Sequence, residues 1–176
     1  MSMRLFPAAA LAAALSGCAS TGFPPVTVPD ALQVPAGHRL SLEANGTGVQ
    51  IYVCGAAPND PAQAQWVFKA PEAALTDAAG ASLGKHYAGP TWEGNDGSKV
   101  AGEVKAKQDD PAGLAIPWLL LAAKSASGDG VFGRVSYVQR LATKAGKAPS
   151  GGCSPAELGK EARVPYQALY RFYVAG

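Results

Sequence analysis

Arg39-Leu40-Ser41-Leu42-Glu43-Ala44-Asn45-Gly46-Thr47-Gly48-Val49-Gln50-Ile51-Tyr52-Val53-Cys54 alternates between two kinds of side chain on either side of a central Asn-Gly. Before the pair, Leu40, Leu42 and Ala44 share one face and Arg39, Ser41 and Glu43 the other; after it, Val49, Ile51 and Val53 oppose Gln50, Tyr52 and Cys54. A period of two marks a half-buried strand, because successive side chains of an extended chain leave opposite faces. Asn45-Gly46 has the composition of a two-residue hairpin turn, so residues 39–54 predict a β-hairpin.

The same texture extends outward. Residues 65–70 place Trp66 and Phe68 on one face, Ala79-Gly80 and Asp96-Gly97 mark turns, and residues 98–107 read as a further strand. Residues 117–124, with Trp118 and Leu119-Leu120-Leu121, form an apolar block that is short and led by Pro117, which predicts a strand buried on both faces. Ser127-Gly128-Asp129-Gly130 turns the chain into residues 131–141, giving a second hairpin at the sheet centre, and a Gly/Pro-rich loop follows over 143–152. Ser154-Pro155-Ala156-Glu157 has the form of a helix start, Ser as cap, Pro in the first turn and Glu three residues on, so one short helix is expected to end near Gly159. Residues 166–174, with Tyr166, Tyr170, Phe172 and Tyr173, close the sheet. The class is all-β: an antiparallel sandwich or small barrel of about eight to ten strands with one short helix near the C-terminus.

Composition agrees. With 21 Gly and 14 Pro against 48% hydrophobic residues, the chain is rich in turns without the low hydrophobicity of a disordered one. Its 15 basic and 13 acidic residues nearly balance, and no dense Lys/Arg run exists, which argues against a nucleic-acid partner.

The N-terminus carries an address. Arg4 precedes an apolar stretch over residues 5–15, within the length of about 7–15 residues typical of a signal-peptide core and short of the roughly 20 needed to span a bilayer. Leu15-Ser16-Gly17-Cys18 resembles the lipobox of bacterial lipoproteins. Residues 1–17 are therefore expected to be a lipoprotein signal peptide, 18–30 a lipidated Cys18 with a Pro-rich linker that lifts the domain off the membrane, and 31–176 one β domain. Ala19, where inner-membrane lipoproteins of many Gram-negative bacteria carry Asp, points to the outer membrane and so to the cell envelope. With Cys18 assigned to lipid, Cys54 and Cys153 are left as an even pair in an exported chain, which reads as a disulfide worth about 4–5 kcal/mol in the chain-entropy model.

Catalytic signatures are sparse. His38 and His86 are the two histidines, and neither has a second ligand at metal-site spacing, so no metal or other cofactor is expected. No Gly-x-Ser-x-Gly elbow or phosphate-binding loop occurs, and Asp109-Asp110 before Pro111 reads as a solvated loop. The densest chemistry is His86-Tyr87-Ala88-Gly89-Pro90-Thr91-Trp92-Glu93-Gly94-Asn95-Asp96-Gly97-Ser98-Lys99. His86, Tyr87, Trp92, Glu93, Asp96 and Lys99 supply the aromatic faces and few polar groups of a small-molecule or saccharide site. The competing reading is a hairpin with Trp92 in the core, Asp96-Gly97 at its turn and Glu93 with Lys99 as a rim ion pair. Trp66 and Trp118 read as core packers.

These observations favour a lipid-anchored binding or structural module for a glycan, small molecule or envelope protein. The alternatives are a hydrolase or metal-assisted enzyme using His86, Glu93 and Asp96, and an inhibitor or accessory partner of an envelope enzyme. The balance is against an enzyme.

Val34-Pro35-Ala36-Gly37-His38, Gln50-Ile51-Tyr52-Val53-Cys54, Trp66-Val67-Phe68-Lys69-Ala70-Pro71, the segment 86–99, Ile116-Pro117-Trp118-Leu119-Leu120-Leu121, Gly152-Cys153 and Val164-Pro165-Tyr166 together resemble a secreted family catalogued as domain of unknown function 3455. The resemblance covers nearly everything after the linker and implies an exported domain of a kind found in bacteria and fungi. It carries over no catalytic residues.

Overall fold

The computed structural model describes residues 22–57, 59–110 and 112–176. The lipobox, Cys18 and the signal segment lie outside the described residues. Eight strands follow one another: β1 (His38–Ala57), β2 (Asp60–Thr76), β3 (Ser82–Tyr87), β4 (Thr91–Gly94), β5 (Lys99–Gln108), β6 (Trp118–Ser127), β7 (Val135–Ala145) and β8 (Glu161–Ala175). Each pairs antiparallel with the next, and β8 pairs with β1, so the sheet closes into an up-and-down barrel. Between the two expected architectures the structure is the barrel, and closure removes the free edges a sandwich would keep.

The hairpin expected over residues 39–54 does not form. β1 runs straight through Asn45-Gly46, and Asn45 pairs with Thr76 on one side and Leu169 on the other. Neither residue takes the positive φ that the hairpin turn requires. Packing gives the reason for the glycine: a Cβ on Gly46 would lie 2.4 Å from Cε2 of Tyr170. The missing side chain is what admits the Tyr170 ring. Without a turn, the inward phase of Leu42 and Ala44 runs on to Gln50 and Tyr52, so a polar residue enters the barrel.

The interior is filled from one end. Trp92, Val100, Leu121, Phe132, Val135, Val138, Tyr170 and Phe172 form its buried body. Phe132 is the plug, and it belongs to the β6–β7 connection: residues 131–134, expected in a strand, turn inward instead. Asp96 fastens that turn. Its carboxylate accepts the Val131 N–H at 2.8 Å and the Ser98 hydroxyl at 2.6 Å, and Ser98 Oγ accepts the Phe132 N–H at 3.0 Å.

A second apolar cluster lies outside the wall. Leu32, Leu120, Leu141 and Leu169 are buried there, with Phe23, Val26, Val28, Val34 and Trp118 packed against them. The described part of the expected linker therefore lies along β6–β8, where its own apolar residues find partners. That cover explains the apolar block at residues 118–121: Leu119 and Leu121 face the interior cluster while Trp118 and Leu120 face the outer one. At roughly 1.5–3 kcal/mol for each fully buried leucine, both faces contribute substantially.

The expected C-terminal helix is a single 3-10 turn at Pro155–Glu157, matched by another at Asp30–Leu32. Ser154 Oγ bonds the Glu157 carboxylate at 3.0 Å rather than a backbone N–H, so the capping pair satisfies itself and no further turn is nucleated. Cys54 and Cys153 form the disulfide, tying β1 to the β7–β8 connection across a separation of 99 residues.

Candidate ligand-binding site

The six residues read from the 86–99 segment go to three places. His86 and Trp92 face each other across the β3–β4 pair and point into the barrel, 2% and 1% exposed. Their rings stack, and Tyr170 meets both edge-on at 5.2 and 5.5 Å. Tyr87, Glu93 and Lys99 stand on the outer face. The Tyr87 hydroxyl donates to Glu93 at 2.8 Å, and Lys99 and Lys85 approach the same carboxylate at 3.4 and 3.6 Å. That hydroxyl, more than the lysines, holds the Glu93 carboxyl below its usual range. Asp96 fastens the plug at the closed end. The hairpin reading describes these positions, and His86, Glu93 and Asp96 do not meet. Trp118 packs against the outer cluster, while half-buried Trp66 donates to the Gly151 carbonyl at 2.8 Å. Asp110 accepts the N–H groups of Leu114 and Ala115, as a loop residue does.

The barrel is hollow at the end opposite the plug. A cavity of about 320 Å³ opens there, among the β1–β2, β3–β4, β5–β6 and β7–β8 connections, inside the range of roughly 300–1,000 Å³ found for small-ligand sites. Tyr52, Phe68, Pro90, Val104, Ile116 and Leu119 give it apolar walls. Phe68 and Val104 are 51% and 49% exposed at its rim. His86 forms part of the floor.

Polar groups converge on the inner part of this cavity. Gln50 and Arg140 line it, and the hydroxyls of Tyr166 and Tyr170, 3.1 Å apart, lie behind. Arg140 follows Val138 in the inward phase of β7, and its Nε and Nη2 both donate to the Pro117 carbonyl, at 3.1 and 2.8 Å. Its guanidinium also reaches the Tyr170 hydroxyl. Tyr52 Oη donates to the Gly146 carbonyl at 2.7 Å. Burial raises the pKa of all three tyrosines, so the hydroxyls stay protonated near neutrality.

His86 is also neutral. Burial lowers its pKa to about 3, and its Nδ1 lies 2.8 Å from the Thr91 carbonyl, which can only accept. The ring must donate there, leaving Nε2 as the acceptor nitrogen. Next to the cavity the backbone is strained: Ala142 and Ala145 have φ of 46° and 54°, a region alanine seldom occupies. Thr143 Oγ donating to the Ile116 carbonyl at 2.6 Å and Ile116 N–H donating to Ala145 at 2.9 Å hold this segment in place.

Gln50, Tyr52, Arg140, Tyr166 and Tyr170 were not legible as site residues, since they are spread over three stretches of ordinary strand, β1, β7 and β8. The usable signal was a polar residue in the inward phase, Arg140 two after Val138 and Gln50 six after Ala44. Among the described residues no group of three or more His, Cys, Asp or Glu side chains is placed to hold a metal ion.

Residues 35–174 match a family model described as "Protein of unknown function (DUF3455)". No curated protein and no solved structure matches the chain.

Proposed function

The chain belongs to the DUF3455 family, and we propose that it is a lipid-anchored envelope protein whose barrel binds a small, largely apolar molecule at its open end. The observation that carries the reading is the cavity of about 320 Å³, walled by apolar side chains and floored by a few oriented polar ones. Small eight-stranded barrels have room for one such ligand where side chains do not fill them. Here large rings fill one end alone. The half-exposed Phe68 and Val104 at the rim fit the same reading, because a ligand seated between them would cover apolar surface now in water.

A saccharide stacked on Trp92 fits less well, since that ring is enclosed by His86, Tyr170 and Phe172. The envelope address rests on Leu15-Ser16-Gly17-Cys18 and Ala19, and a disulfide is at home in an exported protein. The lipid would hold the barrel at the outer membrane, positioned to take up a sparingly soluble molecule.

Two experiments test these parts separately. Titration of the purified barrel with the neutral dye N-phenyl-1-naphthylamine is expected to give saturable, one-site fluorescence enhancement that Phe68→Asp weakens at least tenfold. A folded wild-type protein with no saturable enhancement overturns the binding reading. Cys18→Ala is expected to release the full-length protein from the membrane fraction; retention after a salt wash overturns the anchor.

A further inference from the structure

We infer that the molecule bound at the open end is a carboxylic acid, its carboxylate on Arg140 and Gln50 and its apolar body between Phe68, Val104 and Leu119. The inference rests on reading the cavity as a ligand site and adds the chemistry of its occupant.

Arg140 sets the sign of the charge. Arg163 and Arg171 pair with Glu72 and Glu43 at 2.8 and 2.7 Å, and both pairs lie on the outer surface. Arg140, turned inward, has no carboxylate partner among the described residues, and no acidic side chain lines the cavity. Lys69, at the rim, is already held by Glu161. A guanidinium partly withdrawn from water without a counter-ion is unfavourable, and the carbonyl acceptor at Pro117 satisfies two of its N–H groups without neutralising its charge. An anionic ligand would do both.

Gln50 is the independent second observation. It is 2% exposed, lines the same cavity, and its Nε2 has no hydrogen-bond partner. That nitrogen is enclosed beside the Tyr166 hydroxyl, and because an unpartnered buried donor is costly, an amide on a cavity-lining residue that can turn towards the opening points to an acceptor that arrives from outside. Arg140 and the Gln50 amide are both donors, and the group complementary to two donors is acceptor-only: an ionised carboxylate. A single guanidinium balances a single negative charge, which favours a carboxylate over a phosphate monoester dianion. The apolar walls then select an acid with a hydrocarbon body over a small hydrophilic one.

The test is displacement of N-phenyl-1-naphthylamine from the disulfide-bonded protein at pH 7.4 by octanoate, octanamide and octylamine, which share a chain and differ in the head. Octanoate is expected to displace the dye at a concentration at least tenfold below octanamide, and octylamine to be weaker still. Arg140→Met is expected to abolish the preference for octanoate over octanamide, each displacement being read against that variant's own dye affinity. Gln50→Leu, a milder substitution that checks the same head-group site if Arg140→Met fails to fold, is expected to reduce the preference about threefold or more. Equal displacement by octanoate and octanamide from a wild-type protein that binds the dye overturns the carboxylate assignment and leaves the cavity reading standing. Absence of saturable dye binding overturns both.

Discussion

The imidazole of His86 lies flat on the indole of Trp92, with 4.4 Å between ring centroids and 11° between planes. The stack is a cross-strand pair of β3 and β4 at the junction between the filled and hollow parts of the barrel, and it is shut from water on the side of Tyr170. An imidazolium there would lose its hydration, which is why the His86 pKa falls to about 3.

Stability should therefore depend on pH through this residue. The unfolded imidazole takes up a proton near pH 6.5 and the folded one only near 3, so between those values the unfolded state binds the extra proton. The contribution is complete above about pH 6.5 and declines as the pH falls towards 3, with a slope of up to about 1.4 kcal/mol per pH unit. Urea unfolding at pH 7 and pH 5 is expected to show a larger loss for wild type than for His86→Phe. Equal losses would mean that His86 is protonated in the folded state.

Gly46 is expected to tolerate no side chain. Gly46→Ala places a Cβ 2.4 Å from the Tyr170 ring, an overpacking that costs about 1–3 kcal/mol. Gly55→Ala, whose Cβ would meet Val67 at an ordinary 3.5 Å, is expected to change stability by less than about 0.5 kcal/mol. Denaturant midpoints of the two variants make the comparison.

The plug supplies another test. Phe132→Ala removes a fully buried ring and is expected to cost about 3–5 kcal/mol. Asp96→Ala leaves the ring in place but removes the acceptor of the Val131 N–H and of the Ser98 hydroxyl. Faster amide exchange confined to Val131, Phe132 and Ser98 is the expected signature, read by hydrogen–deuterium exchange. Unchanged exchange there would show that the ring alone holds the turn.

The disulfide joins β1 to the connection whose Gly146 carbonyl receives the Tyr52 hydroxyl, so it braces one side of the open end. Replacing Cys54 and Cys153 by Ala is expected to cost about 2–5 kcal/mol. It should also weaken dye binding, measured on both proteins at a temperature where each is folded.

The sequence by itself determined the class of fold, the strand character of most segments and the pairing of Cys54 with Cys153. Each is written in local alternation, in turn composition or in the count of cysteines. The tertiary structure alone decided three things. It made residues 39–54 one strand, because the reason for Gly46 is a tyrosine more than a hundred residues away. It covered β6–β8 with the N-terminal segment, because that segment's apolar residues needed a surface. And it brought Gln50 on β1 and Arg140 on β7 to line one cavity at the open end of the barrel: strand alternation tells which residues share a face, but only closure of the sheet makes that face an inside.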